Sequence, residues 1–253
     1  MFDVERKIQI LNILDREKST TITMLSEYFH VSPSTIRRDL TAMEEAGLIK
    51  RTHGGAILVE KLNEDLNFAQ KRTKDFELKN AIGKRAAQLV KDGEIIAINS
   101  STITTLMAEH LTAKNLTIVT NSLNILSIIK EHSNYQIIVL GGIYMDNAQT
   151  IEGPTTTEQI KQLHFDKSFL GANGVDLQFG LSSASELEAK SKIAMIKQSR
   201  DVFFLCEHKK FNRSSLFKVA ELKEVNGIVT DWRVEEAVVD SYSKETDIII
   251  AEE

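Results

Sequence analysis

Ser34, Arg37, Arg38 and Thr41 are spaced so that a helix carrying them turns all four to one side, with Ile36, Leu40 and Met43 opposite. Such a face holds two guanidiniums, two hydroxyls and no acid, and Thr35 adds a third hydroxyl beside it. An arginine can pair bidentately with O6 and N7 of guanine, and Ser or Thr can reach a phosphate or a base edge. Downstream, Lys50, Arg51 and His53 form a second cationic strip suited to backbone phosphates. A basic helix face alone is more often plain solvated surface, and residues 1–60 carry eight basic against nine acidic side chains. A DNA-binding reading therefore rests on order: short helix, three-residue turn, Ser-Pro helix start, basic face, basic wing.

A second group of residues could hold an anion. Asn99-Ser100-Ser101-Thr102-Ile103-Thr104-Thr105 places five hydroxyls in seven residues between an apolar run and a helical pattern. Exposed N–H groups at a helix start, joined by hydroxyl donors, suit a phosphate dianion. Thr120-Asn121-Ser122 follows the next apolar run, and Gly141-Gly142 the third, where missing side chains let backbone approach a ligand. Gly171-Ala172-Asn173-Gly174 follows the fourth, and Lys210 offers a cation near the fifth. Taken singly, each is more often an ordinary cap or turn. They mark a ligand site only if they meet at the carboxyl edge of one sheet, where open α/β folds bind ligands. On that condition Asn99, Ser100, Ser101, Thr102, Thr120, Asn121, Ser122, Gly141, Gly142, Asn173 and Lys210 are the candidate effector contacts.

Other chemistries find little support. Cys206 ends the apolar run Val202–Cys206 and is expected to be a buried, inert thiol. One cysteine can form neither an internal disulfide nor a multi-thiolate zinc site, and it fits a reducing cytoplasm. The six histidines lack metal-ligand spacing, so no metal and no cofactor is expected. A net charge of −5 over 253 residues argues against a wholesale polyanion binder. No apolar run approaches the roughly 18 residues of a membrane span, and the start MFDVERKIQI does not read as a secretory signal.

Two kinds of chain must position these groups. Over residues 1–58, Val4, Ile8, Leu11 and Leu14 recur at helical spacing, and Thr23 can cap a second helix that buries Leu25 and Phe29. His30-Val31-Ser32 is a tight turn, Ser32 caps a third helix with Pro33 at its first position, and Gly47 stops it. Leu48–Leu58, broken by His53-Gly54-Gly55, reads as a two-stranded wing. Residues 59–76 are polar and aperiodic, a linker. From 77 to 253, after a helix over 77–91, strands expected over 94–98, 117–119, 136–140, 167–170, 202–205, 227–229 and 247–250 alternate with helices over 104–111, 122–131, 156–163, 186–198 and 234–242. That alternation predicts a mainly parallel sheet with helices on both faces.

The stretch VSPSTIRRDLTAMEEAGLIKRTHGGA, Val31 to Ala56, resembles the signature of the DeoR family of bacterial transcription regulators. Further on, Thr120-Asn121-Ser122, Gly141-Gly142, Gly153-Pro154, Phe165-Asp166-Lys167, Gly171-Ala172-Asn173-Gly174 and Glu188 with Lys192 match motifs of that family. The resemblance implies an amino-terminal winged helix-turn-helix that binds operator DNA, joined to an α/β sensor domain similar to ribose-5-phosphate isomerase. Asp39 is then expected to orient Arg38 or to cap. Two departures stand out. The family's Asp-x-Gly-Thr/Ser-Thr loop is here Asn99-Ser100-Ser101-Thr102-Ile103, and its Asp-x-x-Lys-Phe is Glu207-His208-Lys209-Lys210-Phe211.

The expectation is a cytoplasmic DNA-binding regulator, a dimer or tetramer that represses a carbohydrate-utilisation operon until a phosphorylated sugar binds it. The alternative is a sugar-phosphate isomerase carrying a helix-turn-helix. Such an enzyme needs a carboxylate base, Asn173 stands where one would be expected, and Glu207 and Asp176 are the remaining candidates.

Overall fold

The computed structural model describes residues 6, 7, 9, 10, 13, 14, 19–45, 49–52, 54–57, 73–131, 134–146 and 148–253. The chain divides into two compact units, residues 1–66 and 67–253. Val4, Ile8 and Leu11 of the expected first helix, Gly47, Leu48, His53, Leu58 and most of the expected linker lie outside the described residues.

In the first unit residues 6, 7, 9, 10, 13 and 14 are helical, and Ile10 and Leu14 are buried. The polar stretch before the second helix is a strand, β1 (Ser19–Thr21). It pairs antiparallel with β3 (Gly55–Ile57), which also pairs with β2 (Lys50–Thr52), so among the described residues the wing sheet has three strands rather than two. Gly55 makes this pairing possible: a Cβ there would lie 1.9 Å from the carbonyl oxygen of Thr20. Because the chain is still extended at Thr21, that residue and not Thr23 caps the helix Ile22–Phe29, its Oγ1 accepting from the Met24 N–H at 3.2 Å. His30, in the left-handed conformation, ends the helix. Ser32 Oγ accepts from the Thr35 N–H at 3.2 Å at the start of the next helix, Pro33–Glu45. That helix buries Ile36, Leu40 and Met43 against Leu25, Phe29, Ile49 and Ala56.

The second unit is built on a seven-stranded sheet. Its strands are β4 (Ile95–Ile98), β5 (Thr117–Thr120), β6 (Gln136–Val139), β9 (Phe165–Gly171), β12 (Ser199–Leu205), β14 (Gly227–Thr230) and β15 (Asp247–Ile250), in the order β15-β14-β12-β9-β4-β5-β6. Every pairing in it is parallel. Successive side chains alternate between two cores. Ile96, Ile98, Phe169 and Leu205 pack with Ile82, Met107 and Ile125 from the helices Phe76–Ala87, Thr102–Glu109 and Leu123–Ile129. Ala97, Leu170 and Phe204 pack with Ile160, Met195 and Tyr242 from the helices Pro154–Lys161, Glu186–Lys197 and Glu236–Tyr242.

Most expected elements shift only at their ends; β9 and β12 start two and three residues earlier than expected. Five short strands go unanticipated. β7 (Ile143–Met145) and β8 (Thr150–Glu152) form a hairpin, while β10 (Gly174–Asp176), β11 (Gly180–Ser183) and β13 (Phe217–Ala220) form a small antiparallel sheet. Each is only three or four residues long, too short to display a period.

Candidate functional site

On the helix Pro33–Glu45, Ser34, Arg37 and Arg38 are exposed together, opposite the buried Ile36, Leu40 and Met43. Thr35 and Thr41 are half-buried and already bonded: Thr35 Oγ1 lies 2.9 Å from Ser32 Oγ, and Thr41 Oγ1 donates to the Arg37 carbonyl at 2.8 Å. Asp39 neither orients Arg38 nor caps. It is buried and accepts from Arg6 Nε at 2.6 Å, joining the helix Pro33–Glu45 to the amino-terminal helical residues. Arg51 is half-buried, with Nη1 donating to Thr41. His53 and the Lys50 side chain lie outside the described residues.

In the second unit the parallel strands bring all five candidate loops to one edge of the sheet. The loops after β5 and β6 lie to one side of β4, and those after β9 and β12 to the other. Between β4 and β9 the strand order reverses, the point at which such sheets hold ligands. Asn99 occupies it, nearly buried, with Oδ1 accepting from the Gly171 N–H at 2.9 Å. Ser101 caps the following helix, accepting from the Thr104 N–H at 3.0 Å. The same residue presses on β9, since a Cβ on Gly171 would come 2.6 Å from its own Cβ.

The hydroxyls of this edge mostly serve the backbone. Thr104 Oγ1 donates to the Asn99 carbonyl at 2.7 Å, and Thr105 Oγ1 to that of Ser101 at 2.8 Å. Thr120 donates to the Ile98 carbonyl at 2.7 Å, and Ser122 caps Leu123–Ile129. Thr120, Asn121 and Ser122 are fully buried, so they support the edge from below. Gly141 and Gly142 admit a helix: the Gly141 N–H donates to Gln159 Oε1 at 2.8 Å, and a Cβ on Gly142, φ +154°, would meet Thr156 Oγ1 at 2.3 Å. Ser100, Ser101, Thr102, Gly141 and Lys210 are partly exposed, and Gly142 and Asn173 exposed. Burial pushes the Lys210 ammonium below its ordinary value, against the raising pull of Glu207.

Behind the first loop lies a buried polar network of which only Asn121 is among the candidate effector contacts. Asn121 Oδ1 accepts from the Ser100 N–H at 3.3 Å, and its Nδ2 donates to Glu152 Oε1 at 2.8 Å. The other oxygen of Glu152 accepts from Ser191. Burial above all, with the Glu188 charge adding to it, pushes this carboxyl up to about 7. Next to Ser191, Lys192 is buried, with Nζ 3.4 Å from Ser183 Oγ and 3.5 Å from Glu188 Oε2. Besides Asn121, the sequence marks Glu188 and Lys192, one helical turn apart; Glu152 and Ser191 meet through tertiary packing.

The two carboxylates considered as bases have other work. Asp176 Oδ1 accepts from the Gln178 and Phe179 N–H groups at 2.9 and 2.8 Å, and Glu207 pairs with Lys209 at 3.2 Å and Lys79 at 3.7 Å. Cys206 is buried, and burial raises its thiol pKa, as an inert role requires.

Residues 6–62 match the DeoR-like helix-turn-helix domain and residues 74–232 match the DeoR C terminal sensor domain. The chain belongs to the DeoR family of transcriptional regulators. This DeoR-family protein is 32% identical to the HTH-type transcriptional repressor GlcR of Bacillus subtilis, over 95% of its own length and 93% of the relative's. It is 29% identical to the lactose phosphotransferase system repressor of Staphylococcus epidermidis, over 90% and 91%. Among solved structures it is similar to ribose 5-phosphate isomerase A from Neisseria gonorrhoeae, with 15% identity and a TM-score of 0.40 over 53% of each chain, values that decide nothing about activity. The DeoR-family chain is thus a DNA-binding transcriptional regulator: a winged helix-turn-helix joined to a parallel-sheet α/β sensor domain. Among its described residues no helix is long and apolar enough to cross a membrane.

Proposed function

We propose that this regulator represses a carbohydrate-utilisation operon in the cytoplasm, as a dimer or tetramer, and that a phosphorylated sugar releases it from the operator. The observation that carries the reading is the convergence of the loops after β4, β9 and β12 at the reversal of strand order, with partly exposed hydroxyls and the Lys210 cation. Ser100, Ser101, Thr102, Asn173, Lys210 and the Gly141-Gly142 backbone are the direct contacts in this reading; Asn99, Thr120, Asn121 and Ser122 hold the loops. The name of the Staphylococcus epidermidis relative, a lactose phosphotransferase system repressor, supports the carbohydrate class. An effector acts only through unequal affinity for the DNA-competent and DNA-released states.

The test is release of a promoter fragment from the gene's own upstream region under a panel of phosphosugars, with the half-buried Trp232 as a second, fluorescent readout. One member should release the DNA and shift the Trp232 emission, and Lys210→Met should weaken that response. A panel that leaves both signals unchanged would sink the effector assignment, and robust turnover of any member would revive the isomerase alternative. Arg37→Ala should weaken binding of the same fragment by roughly 1–3 kcal/mol.

A further inference from the structure

Both ends of Arg51 fasten the wing to the helix Pro33–Glu45, the reading helix of the DNA-binding unit. Its backbone N–H, on β2, donates to Glu44 Oε1 at 2.8 Å, and its Nη1 donates to Thr41 Oγ1 at 2.8 Å. The acceptors lie three residues apart, on adjacent turns of one helix face. The Thr41 hydroxyl hydrogen is itself engaged by the Arg37 carbonyl, which leaves a lone pair turned toward the guanidinium. Arg51 Nε is buried and, among the described residues, makes no hydrogen bond. Two of the three guanidinium nitrogens are therefore turned into the protein, while Arg37 and Arg38 stand exposed. The acid at the junction, Glu44, would also repel a phosphate brought to this point.

We propose that Arg51 is a positioning residue of the DNA-binding surface and not one of its phosphate contacts. It sets the angle between wing and reading helix by bridging to Thr41 and Glu44, and the phosphates are met by other cations. This rests on the DNA-binding reading of the first unit. To reach a phosphate, Arg51 would have to leave Thr41, uncoupling the wing from the helix it flanks.

Salt dependence separates a strut from a phosphate contact. Each lost phosphate contact makes the slope of log affinity against log salt shallower by about 0.9, whereas a lost strut weakens binding at unchanged slope. The full-length chain is titrated against a fluorescent mixed-sequence duplex of about 30 base pairs between about 50 and 200 mM KCl, with Arg38→Ala as a reference for a slope change of about one. Arg51→Met and Thr41→Val should each weaken binding several-fold with the slope of the wild type. The double variant should bind no more weakly than the worse single, since both remove one bond. Thr41→Ser, which keeps the hydroxyl, should recover most of the affinity that Thr41→Val loses. A shallower slope in Arg51→Met, fold-losses that multiply in the double variant, or full affinity in Arg51→Met would each overturn the proposal. Should Arg51→Met fail to fold, the Thr41→Val and Thr41→Ser pair decides by itself, and equal binding of the two rejects the strut. A wild-type chain that binds no duplex would instead overturn the DNA-binding reading.

Discussion

The side-chain oxygen of Asn99 accepts a hydrogen bond from the backbone N–H of Gly171 at 2.9 Å and ties together the ends of β4 and β9, where the sheet reverses its order. In a doubly wound sheet that gap is where a ligand enters. Here its floor is closed by a neutral carboxamide, and the hydroxyl-rich loop that follows is held against β9.

Removing this tie should cost stability first. Asn99→Leu leaves a buried Gly171 N–H without an acceptor, and urea unfolding followed at Trp232 should show a loss of about 1–3 kcal/mol. A variant as stable as the wild type would mean that the bond does not hold the two strands.

Gly171 and Ser101 should be coupled. A Cβ at Gly171 would lie 2.6 Å from the Ser101 Cβ and 2.8 Å from its Oγ, and Ser101 cannot move without losing its cap on the helix Thr102–Glu109. Gly171→Ala should therefore destabilise by about 1–3 kcal/mol. Ser101→Gly alone should cost no more than about 1 kcal/mol. Combined, the two should cost clearly less than their sum, because the second removes the atoms the first collides with. Additive losses would show that the clash is relieved elsewhere.

Glu152 should impose a pH dependence on folding. Its carboxyl is pushed up to about 7 in the folded chain from an ordinary 4.5, so the folded state holds a proton that the unfolded state releases. Its stabilising contribution is complete below about pH 4.5 and is lost as pH rises through about 7, a change on the order of 3 kcal/mol. Glu152→Gln keeps the shape and stays neutral. Relative to the wild type it should gain stability between these limits, read as urea midpoints across pH; parallel curves would place the titration on another group.

Gly55→Ala tests the third strand of the wing. The added methyl would meet backbone, the Thr20 carbonyl oxygen at 1.9 Å, and backbone there cannot swing aside as a side chain can. The Ile22 amide, which donates to the Gly54 carbonyl at 2.9 Å at this junction, should lose hydrogen-exchange protection, and DNA binding should weaken even though Gly55 carries no charge.

Periodicity and charge alone determined that the chain is two units, that Ile36, Leu40 and Met43 turn inward while Arg37 and Arg38 turn outward, and that a parallel sheet gathers its loops at one edge. Those properties are local: a helix or strand displays its period in its own residues, and parallel strands leave no choice of edge. Tertiary structure decided what the polar residues do once there. Thr41 and Arg51 lie ten positions apart, Asp39 reaches back to Arg6, and Glu152 meets Ser191 across the fold. Each pairing depends on how elements pack, since a hydroxyl or carboxylate serves a cap, a strut or a ligand equally well until its neighbours arrive.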